Sequence, residues 1–169
     1  AIADFNKAIE IDSKMHFNLK NPLHSYSIRA RIYYNRANVY QKMGDFEQAI
    51  SDYSHSIETN SINPRAYNNR ATIYMMKNEY DQAVFDLGQA IKSDPNFVLA
   101  YSNRAEIYMQ RRKYPEAISD FSKAIEIDPN FAKAYYGRAV AYLNMNNPQQ
   151  ASLDFEKVKK LEARAGGRE

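Results

Sequence analysis

Eight residues, YNNRATIY at 67–74, recur as YYNRANVY at 33–40, YSNRAEIY at 101–108 and YYGRAVAY at 135–142, each copy 34 residues after the last. A fixed period of this length marks a chain assembled from copies of one supersecondary unit, each burying its apolar face against the next. The period continues past the motif through Ala49, Tyr53 and Ser56, then Ala83, Leu87 and Ala90, then Ala117, Phe121 and Ala124, then Ala151, Phe155 and Val158. Within each half the apolar residues recur at three and four, which is helical spacing. The breaks agree with two helices per unit. Gly44 suits a helix C-terminus, where positive φ is needed. Pro64, Pro115 and Pro148 suit first turns, where the missing N–H costs nothing, and Asn63 and Asn147 stand where N-caps belong. Each unit therefore reads as antiparallel helices A and B. Ala37, Ala71, Ala105 and Ala139 on the A helices meet Ala49, Ala83, Ala117 and Ala151 on the B helices, so the axes can approach closely. Only 5 Gly and 6 Pro in 169 residues support an all-α chain.

The pattern resembles the tetratricopeptide repeat, with Tyr-x-x-Arg-Ala in place of that family's usual Trp-x-x-Leu-Gly. The resemblance implies an all-α, right-handed superhelical solenoid of antiparallel helix pairs. Four repeats are expected at 30–63, 64–97, 98–131 and 132–163. Residues 1–15 match the second helix of an incomplete repeat through Ala1, Phe5 and Ala8. Residues 16–29 are an insertion. Leu23, Tyr26, Ala30, Tyr33, Ala37 and Tyr40 continue the inward stripe backwards through it, so the next helix is expected to start near 22 and to protrude about two turns, with Asn21 as its cap and Pro22 in its first turn. Residues 164–169 read as a disordered tail. The chain opens on a B helix, which suggests a piece of a longer array that self-associates through its bare ends.

Two sets of residues repeat outside the core. Arg36, Arg70, Arg104 and Arg138 recur with Asp4, Asp52, Asp86, Asp120 and Asp154, which suggests a ladder of ion pairs; the spacing leaves open which Asp meets which Arg. Opposite the inward face of each A helix lie Arg31, Asn35, Asn38 and Lys42; then Arg65, Asn69, Thr72 and Met76; then Leu99, Asn103, Glu106 and Gln110; then Lys133, Gly137, Val140 and Asn144. By resemblance, the A helices line a concave groove. Asn35, Asn69 and Asn103 would form an asparagine ladder there, each carboxamide holding a peptide group by donor and acceptor. Tyr34, Asn68, Ser102 and Tyr136 would add a flanking row. Gly137 would open a pocket beside Tyr136 and Val140. The family's carboxylate clamp maps to Tyr34, Asn38, Asn69, Leu99 and Asn103, where three basic positions are missing. Arg31, Lys42 and Arg65 would still favour an acidic ligand.

The expected role is a non-catalytic protein-interaction scaffold or adaptor binding an extended peptide, with no cofactor and no metal. There is no cysteine, dinucleotide fingerprint, phosphate loop or zinc-protease motif. His16 and His24 have no ligand cluster beside them, and His55 sits on an outer helix position with no triad. The net charge of +3 is mild, and the basic stretches QRRKY and KKLEAR complement helix C-termini, so nucleic acid is a weak alternative. The absence of a visible secretory signal, of a membrane-length apolar run and of cysteine points to the cytoplasm.

Overall fold

A computed structural model describes residues 2–15 and 22–166. Residues 1, 16–21 and 167–169 lie outside the described residues, as do the side chains of 12–26, 165 and 166. The expected Asn21 cap, the inward side chains of Leu23 and Tyr26, and the end of the tail fall there. Among the described residues all regular structure is helical: α1 (Ile2–Met15), α2 (Pro22–Met43), α3 (Phe46–Thr59), α4 (Pro64–Met76), α5 (Tyr80–Ser93), α6 (Val98–Gln110), α7 (Tyr114–Ile127), α8 (Ala132–Asn144) and α9 (Pro148–Gly166). None is long and apolar enough to cross a membrane. The chain divides into two compact units. In the first, α1 packs on α2, and the hairpins α2/α3 and α4/α5 stack through α3 and α4. In the second, the hairpins α6/α7 and α8/α9 stack through α7 and α8.

Local chemistry sets the helix ends. Asn63 and Asn147 cap as expected, their side-chain oxygens accepting from the backbone N–H groups of Ala66 and Gln150. Asp45 caps α3 in the same way. Pro22, Pro64 and Pro148 open their helices, and Pro115 takes the second position of α7. Helix α2 has 22 residues against 13 in each other A helix. Its extra nine residues add about 13 Å at 1.5 Å per residue. Helix α9 runs through Gly166, so residues 164–166 are helical rather than part of the expected tail.

Every A helix ends in the same left-handed turn. Gly44, Asn78, Arg112 and Asn146 all have φ between 55° and 79°. The N–H groups of Asp45, Glu79, Lys113 and Asn147 donate back to the carbonyls of Tyr40, Tyr74, Tyr108 and Tyr142. This closes a Schellman motif around the last tyrosine of each motif copy. Glycine and asparagine tolerate that φ; Arg112 takes it at a cost.

The core follows the repeat. The paired alanines on the A and B helices are at most 1% exposed. Tyr53, Leu87 and Phe121 fill the space beside them. At each hairpin the arginine binds the aspartate 16 residues later through two parallel hydrogen bonds of 2.6–2.8 Å: Arg36 to Asp52, Arg70 to Asp86, Arg104 to Asp120 and Arg138 to Asp154. The third nitrogen crosses to the preceding B helix where a side chain can accept, at Asn6 for Arg36, Ser54 for Arg70 and Ser122 for Arg138. The tyrosine rings of the motif stand 5.5–5.9 Å from the guanidinium groups. Hydrogen bonding to the aspartate raises the guanidinium pKa at Arg36, Arg104 and Arg138. At Arg70 burial opposes the charge, and Asp86 outweighs it.

Two stability changes follow. Asp86→Ala leaves the Arg70 cation buried and unpaired and should cost about 3–5 kcal/mol, whereas the double change Asp86→Leu/Arg70→Met should cost clearly less. Arg112→Gly should stabilise the chain by up to about 1 kcal/mol by relieving the left-handed turn. Urea denaturation of the purified variants measures both.

Candidate functional site

The outer residues of α2 and α4 form one polar surface in the first unit. Arg31, Asn35 and Lys42 on α2 and Arg65 on α4 are exposed. Behind them the two helices are joined by a hydrogen-bond network. Asn69 Nδ2 donates to Asn38 Oδ1 at 3.0 Å and lies 3.4 Å from the hydroxyls of Tyr34 and Tyr53. Asn68 Nδ2 donates to Asn69 Oδ1, Gln41 Nε2 to Thr72 Oγ1, and Thr72 Oγ1 to the Asn69 carbonyl. At the centre is the fully buried Tyr53, whose hydroxyl is 2.6 Å from Asn38 Oδ1 and 2.7 Å from Gln41 Oε1. A phenol has one proton, so it serves only one of these acceptors at a time. Asn38 also accepts from Asn69, so it loses less when the proton turns to Gln41. Burial pushes the Tyr53 pKa up to about 12.

The structure thus brings Tyr34, Asn38, Asn68, Asn69 and Thr72 together, but as a shared floor rather than as separate rungs. Asn69 is half-buried with its carboxamide engaged. Asn68 is 5% exposed and Ser102 1%, so the expected flanking row is core at those two positions. Gln41 and Tyr53 are additions. The signal for Tyr53 was available, because its row otherwise reads Leu87, Phe121 and Phe155, and a lone hydroxyl in an apolar row needs a partner.

In the second unit Asn103 is half-buried, and Lys133 on α8 pairs with Glu106 on α6 at 2.6 Å. Tyr136 is exposed and stands edge-on to Phe155, with ring centroids 5.8 Å apart. Val140 is half-buried, and its carbonyl accepts from Asn144. The opening expected at Gly137 is filled. A Cβ there would collide with the Phe121 ring at Cζ. Glycine is present because the Phe121 ring, 1% exposed, occupies the place of the side chain. His55 donates Nδ1–H to the Ser51 carbonyl, 2.8 Å away, and stacks on Tyr33. Among the described residues no three His, Cys, Asp or Glu side chains cluster as a metal site would require.

Family models match four stretches of the sequence. A tetratricopeptide repeat model matches 30–63 and 64–97, a TPR repeat model 105–146, and a further tetratricopeptide repeat model 132–164. No curated protein matches by sequence. Among solved structures, MamA is 22% identical over 98% of this chain and 92% of its own, with a TM-score of 0.77. The first TPR of Spaghetti (RPAP3), bound to the HSP90 peptide SRMEEVD, is 25% identical over 71% of this chain and 95% of its own, with a TM-score of 0.68. The second TPR of the same protein, bound to the same peptide, is 28% identical over 58% and 91%, with a TM-score of 0.57.

Two measurements check this geometry. Gly137→Ala should destabilise the chain by about 1–2 kcal/mol despite alanine's better helix propensity, and adding Phe121→Leu should recover part of the loss; a thermal double-mutant cycle reads the coupling. Tyr53 holds its proton more tightly folded than unfolded. Its share of stability should therefore be intact below pH 10 and be lost as the pH rises toward 12. Tyr53→Phe should remove that alkaline component, seen in denaturation midpoints at stepped pH.

Proposed function

The chain belongs to the tetratricopeptide repeat family, and we propose that it is a non-catalytic protein-interaction scaffold whose A helices hold an extended, acidic peptide segment. The observation that carries this reading is the charge of the first unit. Helices α2 and α4 contain no Asp or Glu between them. Their half-buried arginines, Arg36 and Arg70, are neutralised by Asp52 and Asp86. The exposed Arg31, Lys42 and Arg65 remain, on a face that also presents Asn35. Such a surface attracts carboxylates and repels a basic segment.

One support comes from solved structures of the same fold. The Spaghetti (RPAP3) domains are each bound to a peptide, and that peptide ends in Glu-Glu-Val-Asp. A binding mode along the ligand backbone suits this chain better than a clamp on the terminal carboxylate, because Tyr34, Leu99 and Asn103 stand where a clamp needs cations. In the first unit Asn35 meets the peptide directly. Asn69 meets it by exchanging a hydrogen bond of the network, so the network sets the position of that rung. In the second unit Asn103 and Lys133 provide the corresponding contacts, with Glu106 screening Lys133.

An array of extended peptides with acidic, neutral and basic compositions tests the reading by fluorescence polarisation. Acidic peptides should bind best and weaken as salt rises. Arg31→Glu/Arg65→Glu should reduce their affinity at least about tenfold, and Asn35→Ala by less. Equal binding of basic peptides, or an affinity unmoved by charge reversal, would overturn the proposal.

A further inference from the structure

One face of α9 carries a row of charge that repeat packing does not use. Leu153, Lys157, Lys160 and Arg164 follow one another at four, three and four residues. At about 100° per residue they fall within about 60° of one another, along about 16 Å of helix. Leu153 is 60% exposed, and Lys160 and Arg164 are exposed. Lys157 is half-buried, its Nζ 5.8 Å from the centre of the Tyr135 ring.

The 34-residue period places Lys157 in register with Lys123 of α7 and Lys160 in register with Glu126. On α7 those two side chains pair at 2.8 Å, so their charges cancel. On α9 the carboxylate of that pair is replaced by a second cation. Among the described residues no carboxylate pairs with Lys157, Lys160 or Arg164. Glu156 and Glu162 of the same helix lie about 70° and about 170° from the centre of the row. Helix stability does not account for the row, because like charges three and four residues apart repel. The helix dipole acts over the last turn, where Arg164 is the only cation.

The row opens on a leucine and continues in cations. An anionic lipid surface meets a broad plane of charge, and here Glu156 stands beside the row. A phosphate strand repeats its charge without a break and leaves Leu153 unused. An amphipathic acidic helix matches both parts, since it can offer an apolar side chain followed by carboxylates at the same spacing.

We propose that the row from Leu153 to Arg164 is a second interaction surface, which takes an acidic helix of a partner protein. Leu153 covers the apolar side chain of that helix, the two ammonium groups face its carboxylates, and the Arg164 guanidinium takes one carboxylate through paired hydrogen bonds. The surface shares no residue with the cations of α2 and α4, so it stands or falls apart from the A-helix face.

The test is a titration of the isotopically labelled full chain with a lactam-closed helical peptide of about 18 residues, followed by NMR. One face of the peptide reads Leu, Glu, Glu, Glu at four, three and four residues, over Ala and Gln. Saturable shifts centred on Leu153, Lys157, Lys160 and Arg164 are the expected result. Lys160→Gln/Arg164→Gln and Leu153→Ser change exposed side chains, so both variants should fold, and they should weaken binding at least about tenfold and about threefold. Arg31→Glu/Arg65→Glu should leave this affinity unchanged, which separates the surface from the A-helix face. A peptide of the same composition with its glutamates spread around the helix should bind at least about threefold more weakly. Equal binding of that peptide, an unchanged affinity in either α9 variant, no saturable shift up to about 10 mM, or tighter binding of an oligouridylate or of phosphatidylserine vesicles would each overturn the assignment.

Discussion

The bidentate pair between an A-helix arginine and the aspartate 16 residues later organises each hairpin. Its geometry demands that both helices sit at one register, since two parallel hydrogen bonds tolerate little sliding. The alanines that face each other at 0–1% exposure make the demand achievable by letting the axes approach. A buried ion pair adds little net stability, because desolvation offsets the attraction. What it contributes here is specificity, as a misregistered hairpin would bury an unpaired charge. The third guanidinium nitrogen extends the constraint to the preceding B helix through Asn6, Ser54 or Ser122.

Packing between repeats is solved differently in the two units. In the first, Tyr53 reaches Asn38, Gln41 and Asn69, so α2, α3 and α4 are joined by polar contacts. In the second, the Phe121 ring packs straight onto Gly137, and Arg138 donates across the same junction to Ser122. At two of the outer A-helix positions the residue answers to the ring behind it: Asn69 donates to the Tyr53 hydroxyl, and Gly137 leaves room for the Phe121 ring. The loss of asparagine in the fourth copy is therefore a packing consequence.

Charge is divided with the same regularity. Repeat packing consumes one arginine and one aspartate per hairpin, which leaves the remaining charges to set the character of each surface. On α2 and α4 these are cations; on α3 and α5 they are mostly carboxylates.

The sequence by itself determined the helix pairs, their caps and their small-residue contacts, because these depend on neighbours within one 34-residue period. Asn63 and Asn147 cap their helices, Pro22 opens α2, and the alanine pairs are buried, all by local rules. Gly44 likewise marked a left-handed turn, although Arg112 in the same conformation gave no such sign. Only the tertiary structure decided which aspartate each arginine takes, since Asp4, Asp52, Asp86, Asp120 and Asp154 share one register and spacing along the chain is silent on distance across it. It also decided that Asn68 lies in the core, that Asn69 is engaged, and that Phe121 fills the space beside Gly137. The last two outcomes depend on the ring standing behind the position, Tyr53 behind Asn69 and Phe121 behind Gly137, and that ring comes from the preceding repeat, sixteen residues away in sequence and adjacent in space.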